Sequence, residues 1–211
     1  MRKPKRIRRK TNPAYAVVVD GKTEVWYLQM LKRNERNIRV TIKPEIPNRK
    51  SIKEQYDLVC KLLAQEYTKV FWILDFDTVI KEERESPKGK ESPIGIFNQY
   101  KEKLSKRNVI VIVNNPCLEF WFLLHFERTS KYYSPCSDVE KQLKKYLKNY
   151  EKSQKFFTKQ NDDIYLKLKS YLNTAIENSK ALGYFDFQNP TRAMSEMELL
   201  FLSEELKPFL G

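Results

Sequence analysis

Two short acidic motifs stand at the ends of apolar runs in this chain. In AYAVVVDGKTE the β-branched run Val17–Val19 ends at Asp20-Gly21, with Glu24 one helical turn further on. In FWILDFD a second apolar run ends in Asp75-x-Asp77. Carboxylates gathered against their mutual repulsion need cations, and hard oxygen donors of this kind suit Mg²⁺ or Mn²⁺. Asp20, Glu24, Asp75 and Asp77 are therefore the candidate metal ligands. Alternation along a strand would point Asp75 and Asp77 the same way, with Phe76 opposite. Gly21 is expected to let the chain turn sharply, and Lys22 beside it is suited to neutralise charge developing on a phosphoryl oxygen. Each group has a plainer alternative. Asp75 and Asp77 can cap the following turn and pair with lysines. Asp20 or Thr23 can cap a helix, with Glu24 in its favourable first turn. Lys22 can be an ordinary solvated lysine.

A third motif, NNPCLEFWFLLHF (Asn114–Phe126), follows the run VIVIV directly and delivers Asn114 and Asn115 to the same sheet edge. Pro116 suits entry into a buried helix. Glu119 is the only acid or base between Pro116 and Leu124, and a lone buried carboxylate is costly unless paired or metal-bound. It is assigned to the active site, the alternative being an ion pair with an arginine such as Arg192. His125, on an aromatic face, is read as a hydrogen-bonded core histidine. Five acids at three strand ends on a basic chain describe a metal-dependent phosphodiesterase or phosphotransfer site. Divalent ions there polarise the phosphate, activate water and stabilise the leaving oxygen. No GxxxxGK[ST] motif occurs, so P-loop nucleotide hydrolysis is not expected.

The elements that must position these groups alternate between strand and helix. Strands are expected at Tyr15–Val19, Ile38–Ile42, Lys69–Leu74 and Val109–Val113, the last apolar throughout as in a strand buried on both faces. Helices are expected at Thr23–Lys32 and at Ser51–Tyr67, where Ser51 and Glu54 fit a capping box. The charged stretch Val79–Pro93 reads as a mobile loop and candidate lid. After residue 130 helices are expected at Asp138–Tyr150, Asp163–Leu182 and Ser195–Leu206. The organisation is a basic flexible arm at 1–12, an α/β core at 13–128 and a helical lobe packed on that core at 129–211.

Composition bounds the partners. A formal net charge of +13 on 211 residues points to a polyanion, with nucleic acid the commonest. Lysine-rich coding is the bland alternative. Seven of the first ten residues are basic and suit phosphate contact. No apolar run approaches the roughly 18 residues a transmembrane helix needs, and no signal peptide follows the basic start, so the protein is expected in the cytoplasm. Cys60, Cys117 and Cys136 are widely spaced beside one histidine, which argues for three reduced thiols and against a zinc or disulfide framework.

Taken in order, DGKTE, LDFD, NNPCLEFWFLLHF and NPTR (Asn189–Arg192) resemble the RloB family of bacterial anti-phage proteins over nearly the whole chain. That family looks like a branch of the Toprim superfamily, which implies a parallel sheet of about four strands between helices. The resemblance implies that Asp20 takes the place of the superfamily's first glutamate, one methylene shorter. It matches Glu24 to the second acid of overcoming-lysogenization-defect nucleases, and Asp75 with Asp77 to the DxD that binds Mg²⁺. Glu119 and Trp121 belong to the family's own NPxxE element. The implied activity is a Mg²⁺- or Mn²⁺-dependent nuclease effector of abortive infection, acting on RNA such as tRNA in preference to DNA and held in check by an ATPase sensor partner. Two other readings stand beside it: a nucleic-acid-binding adaptor with a degenerate site, and a DNA endonuclease.

Overall fold

The computed structural model of the chain describes residues 13–38, 40–48, 51–65, 67–87, 89–204 and 206–207. The basic arm at 1–12 lies outside them. In chain order the elements are β1 (Ala14–Val18), α1 (Lys22–Asn34), β2 (Thr41–Glu45), α2 (Ile52–Leu63), β3 (Lys69–Asp75), α3 (Phe76–Glu85), α4 (Pro93–Ser105), β4 (Val109–Asn115), α5 (Leu118–Leu124), α6 (Cys136–Leu143), α7 (Gln154–Phe157), α8 (Ile164–Lys169), α9 (Leu172–Leu182), β5 (Met194–Ser195) and α10 (Glu198–Phe201). The strands form one sheet in the order β2-β1-β3-β4-β5. All neighbours are parallel except the two-residue edge strand β5, which runs antiparallel to β4. The fold is mixed α/β, consistent with the Toprim-like expectation, with one short strand more than the four anticipated.

Strand alternation divides the core in two. Tyr15, Val17, Phe71, Ile73 and Ile112 face a cluster shared with α1, α5 and the helices that follow α5. Ala16, Val18, Val70, Trp72, Leu74, Val111 and Val113 face the opposite cluster, built with α2, α3 and α4. The central strands are covered on both faces, which is why they read as unbroken apolar runs. The topology also creates a crevice. β1 and β3 are adjacent, yet α1 leaves β1 over one face while α3 leaves β3 over the other. Open α/β sheets bind ligands at such a switch point, beyond the carboxyl ends of the strands.

Several expected boundaries moved. The second strand begins at Thr41, not Ile38, because the Lys32 ammonium takes the carbonyls of Ile38 (2.5 Å) and Val40 (2.6 Å). The expected lid at Val79–Pro93 is mostly helix. Phe76 and Val79 are buried along α3, the charges form its solvated face, and only residues 86–92 separate it from α4. α4 itself was not anticipated; Ser92 caps it by accepting from the Gly95 N–H, and Pro93 occupies its first turn. The helix expected at Asp163–Leu182 breaks around Ser170–Tyr171. That expected at Asp138–Tyr150 is the shorter α6 followed by turns. The segment expected as helix Ser195–Leu206 opens as β5, since Met194 and Ser195 pair with Asn115 and Asn114, and only Glu198–Phe201 is helical. Cys117 and Cys136 are joined in a disulfide, contrary to the expected free thiols. Nineteen positions apart in sequence, their Cα atoms lie 6.1 Å apart because α5 and α6 begin side by side. Cys60 is the one free, half-buried thiol.

Candidate active site

The crevice holds a cleft of about 360 Å³ lined by Asp20, Lys22, Thr23, Glu24, Trp26, Asp75, Asp77, Thr78, Cys117 and Lys152, among others. All four candidate metal ligands and Lys22 therefore meet there. Asp20 follows the last buried residue of the first strand and is itself buried. The Gln55 amide donates to its Oδ1 at 2.5 Å, and Gln55 Oε1 in turn accepts from the Trp72 indole at 2.7 Å. Asp20 Oδ2 accepts from the Asp75 N–H (3.3 Å) and the Thr78 hydroxyl (3.0 Å). Strand β3, helix α2 and helix α3 thus aim one carboxylate. Gly21 is extended (φ −163°, ψ −168°), a conformation open to any residue, so the sharp glycine turn expected here is not made.

Glu24 is buried in the first turn of α1 and accepts from the Thr23 hydroxyl at 3.0 Å. Its carboxyl is pushed up by burial and then by Glu119, against an opposing hydrogen bond from its own backbone. Asp75 ends β3 at the N-cap position of α3, but its carboxylate bonds no α3 backbone group and accepts instead from the Leu118 N–H at 2.9 Å. Helix α3 starts at Phe76, so strand alternation does not relate Asp75 to Asp77 as expected. Asp77 instead sits in the first helical turn, exposed, with its N–H on the Pro116 carbonyl at 3.1 Å. The Asp75 carboxyl is driven well above the ordinary range by burial, then by Glu24, Asp20, Glu119 and Asp77 in that order. One carboxyl thereby feels the other four acids singled out from the sequence.

Glu119 is deeply buried but does not line the cleft. Its Oε1 accepts from the Tyr150 hydroxyl (2.8 Å) and pairs with Lys152 (3.0 Å), while Cys136 Sγ lies 3.1 Å from Oε2. The last is a contact only, because a disulfide sulfur carries no proton. The partner is therefore Lys152 and not Arg192, whose Nη2 donates to the Tyr184 carbonyl at 2.5 Å. Lys152 also pairs with Glu140 at 3.1 Å. Burial alone would lower the Lys152 ammonium, but Glu119 and Glu140 outweigh it and raise it. Lys152 is thus a fixed positive charge on the wall of an acidic cleft.

Asn114 and Asn115 point to structure and not to the cleft. Asn114 Oδ1 accepts from the Ser195 hydroxyl at 2.7 Å, and the Asn115 amide donates to the carbonyls of Pro190 (2.7 Å) and Arg192 (2.8 Å). Asn115 fastens the NPTR segment to the sheet, and Asn114 ties down β5. His125 is buried with Nδ1 on the Trp121 carbonyl (3.0 Å), and burial lowers it to about 4, as suits a neutral core histidine. Sequence reasoning missed Gln55, Thr78 and Lys152. Only Cys117 carried a signal, since it sits inside the NPCLE motif.

The donor set suits a hard divalent cation: four carboxylates, two of them steered by hydrogen bonds and two raised by burial and then by neighbouring acids, whose repulsion a cation would relieve. Their oxygens do not close on one point. Among the described residues the only trio within 4.8 Å is Cys117, Glu119 and Cys136, whose sulfurs are already bonded to each other. Such spacing is compatible with Mg²⁺, which keeps several waters and takes one or two carboxylates directly.

Fold and site define a mixed α/β protein with an acidic cleft at its topological switch point. A family model described as RloB-like protein matches residues 15–201, and the chain belongs to the RloB-like family. Neither a curated protein nor a solved structure matches it.

Proposed function

We propose that this protein is a Mg²⁺- or Mn²⁺-dependent phosphodiesterase that cleaves nucleic acid, with RNA such as tRNA preferred over DNA. The observation that carries the reading is the convergence of Asp20, Glu24, Asp75 and Asp77 on one cleft, where burial and then the neighbouring acids raise the Asp75 carboxyl. Asp20, Glu24, Asp75 and Asp77 would hold the cation, which supplies phosphate polarisation and charge neutralisation. The chain's own residues do the rest. Lys22 and Lys152 offer positive charge to the phosphate oxygens. As the oxygen of the attacking water bonds to phosphorus its proton passes to an ionised carboxylate of the cleft, the bond to the leaving ribose oxygen breaks, and that oxygen takes a proton from solvent. Gln55, Thr78 and the Leu118 N–H hold the aspartates in place during that step.

The rest of the proposal extends the family resemblance drawn from the motifs: kinship with the Toprim superfamily, a role as an anti-phage effector in the cytoplasm, and restraint by an ATPase sensor partner. Among the described residues no helix is long and apolar enough to cross a membrane. A second reading, a nucleic-acid-binding adaptor, draws on the spread of the cleft carboxylates, which do not close on one point. Incubating the protein with total RNA, plasmid DNA and single-stranded DNA in Mg²⁺, Mn²⁺ or EDTA separates the two. Cleavage that needs metal and disappears in Asp75→Ala/Asp77→Ala supports the nuclease. Binding without cleavage, unchanged by EDTA, supports the adaptor.

A further inference from the structure

The acidic cleft is not isolated on the surface. At Asp77 and Thr78 it adjoins a depression of about 530 Å³ whose walls include Lys81 and Arg84 of α3 and the pair Ser134-Pro135. Tyr133, the residue before Ser134, belongs to a third depression of about 260 Å³ lined by Lys131, Tyr132, Lys141 and Lys145. The first two hollows share Asp77 and Thr78, and the second and third are lined by consecutive residues, Ser134 and Tyr133, so the chain itself leads from the carboxylates to a shelf of lysines and tyrosines.

The shelf has the two surfaces a single-stranded polyanion requires. Tyr132 is 46% exposed and Tyr146, next to Lys145, is 42% exposed, although each carries a large apolar ring. Tyr146 is braced from behind: it stacks on Phe126 at 5.1 Å with planes 3° apart, and its hydroxyl donates to Glu127 at 2.6 Å. Lys131 lies over the Tyr133 ring at 5.4 Å. Asp138 reduces the local charge by pairing with Lys141 at 2.7 Å, which leaves Lys131 and Lys145 as the shelf's main cations. An exposed ring and a braced one beside lysines match base faces beside phosphates, and only an unpaired strand presents its base faces.

We infer that the Tyr132–Lys131–Lys145 shelf binds a single-stranded stretch of nucleic acid, whose continuation passes Lys81 and Arg84 into the acidic cleft. The direction of that strand rests on the nuclease reading; the binding does not. The test measures affinity of the full chain for a labelled oligouridylate and for an RNA duplex, in EDTA so that no cleavage intervenes. The single strand should bind more tightly than the duplex. Tyr132→Ala should weaken it about tenfold, the level of one lost base stack, while Tyr132→Phe, which keeps the ring, binds like the parent. Lys131→Ala/Lys145→Ala should lower the slope of log K against log salt by about 1.4 for two lost phosphate contacts. This lysine pair keeps the test decisive should Tyr132→Ala fail to fold. Failure of the parent to bind, equal affinity for duplex, or parental affinity in both the Tyr132→Ala and the lysine variants overturns the shelf. Cleavage in Mg²⁺ is scored separately. Shelf behaviour as described without any cleavage overturns the nuclease reading alone, and cleavage with shelf variants that bind like the parent overturns the shelf alone.

Discussion

Removing the Tyr150 hydroxyl tests how Glu119 is held inside the protein. Glu119 is 1% exposed and has two charge-satisfying partners on one oxygen, the Tyr150 hydroxyl at 2.8 Å and the Lys152 ammonium at 3.0 Å. Tyr150→Phe keeps the buried ring and its packing on Phe156 and Phe157, so the change is confined to one donor. A hydrogen bond to a charged group contributes roughly 1.5–3 kcal/mol. Lys152 remains and its side chain is 39% exposed, so water can approach from that side; both facts argue for the middle of the range, about 2 kcal/mol. For a chain of this size each kcal/mol moves Tm by roughly 2–4 °C, giving a fall of about 4–8 °C. Calorimetry of the parent, Tyr150→Phe, Glu119→Gln and the double variant completes the cycle. In the Glu119→Gln background the hydroxyl bonds a neutral amide, and its removal should cost only about 1 kcal/mol. A Tyr150→Phe protein within about 0.5 kcal/mol of the parent, or an equal loss in both backgrounds, would refute this account of the Tyr150–Glu119–Lys152 network.

Glu24 and Asp75 carry raised carboxyls, so between the unfolded values near 4 and their folded values the native state binds more protons than the unfolded one. Their contribution is therefore full below about pH 4 and lost as pH rises through the folded values. Chemical denaturation of metal-free protein should show a stability falling over that interval, with a shallower fall in Asp75→Asn. At neutral pH, Mg²⁺ at a hundred times its Kd should add about 2.7 kcal/mol, and no gain in the parent would count against a cation in the cleft. Cys117→Ser/Cys136→Ser opens a loop of 19 residues; under oxidising conditions it should cost about 3 kcal/mol by chain entropy, and a parent whose denaturation midpoint ignores dithiothreitol would show the bond absent in solution. Gln55→Leu removes the donor that steers Asp20 and frees the Trp72 N–H; it should lower kcat of the proposed reaction more than it raises KM, as checked by steady-state cleavage rates.

How much of this was legible in the sequence depends on whether a signal was local. The central strands announced themselves because burial on both faces leaves no polar position in Phe71–Leu74 or Val109–Val113. The acids were legible by their chemistry. Charge misled at Val79–Pro93: Phe76, Val79 and Ile80 already recur at helical spacing, but the lysines and glutamates between them belong to the solvated face of α3. β2 slipped because a lysine six to eight residues back claims the carbonyls of Ile38 and Val40. Lys152 and Gln55 carry no local mark at all, since each acquires its role from a partner at least 33 positions away. The same is true of the sulfurs of Cys117 and Cys136, which only the meeting of α5 and α6 brings together.

The acids themselves are assembled by the connections after the strands more than by the strands. Asp20 follows β1 but takes donors from α2, from α3 and from the Asp75 backbone; Asp75 ends β3 but takes its donor from the first residue of α5; Asp77 hangs its N–H on Pro116, after β4. Three chain crossings must therefore be in register before any two carboxylates are held at their working separation. That dependence explains the tightness of the NNPCLE motif in physical terms. Asn115 anchors NPTR, Pro116 accepts from Asp77, Cys117 walls the cleft, Leu118 steers Asp75 and Glu119 holds Lys152. Five consecutive residues each serve a different neighbour, so a substitution there acts on the acidic cleft even where the altered side chain never enters it.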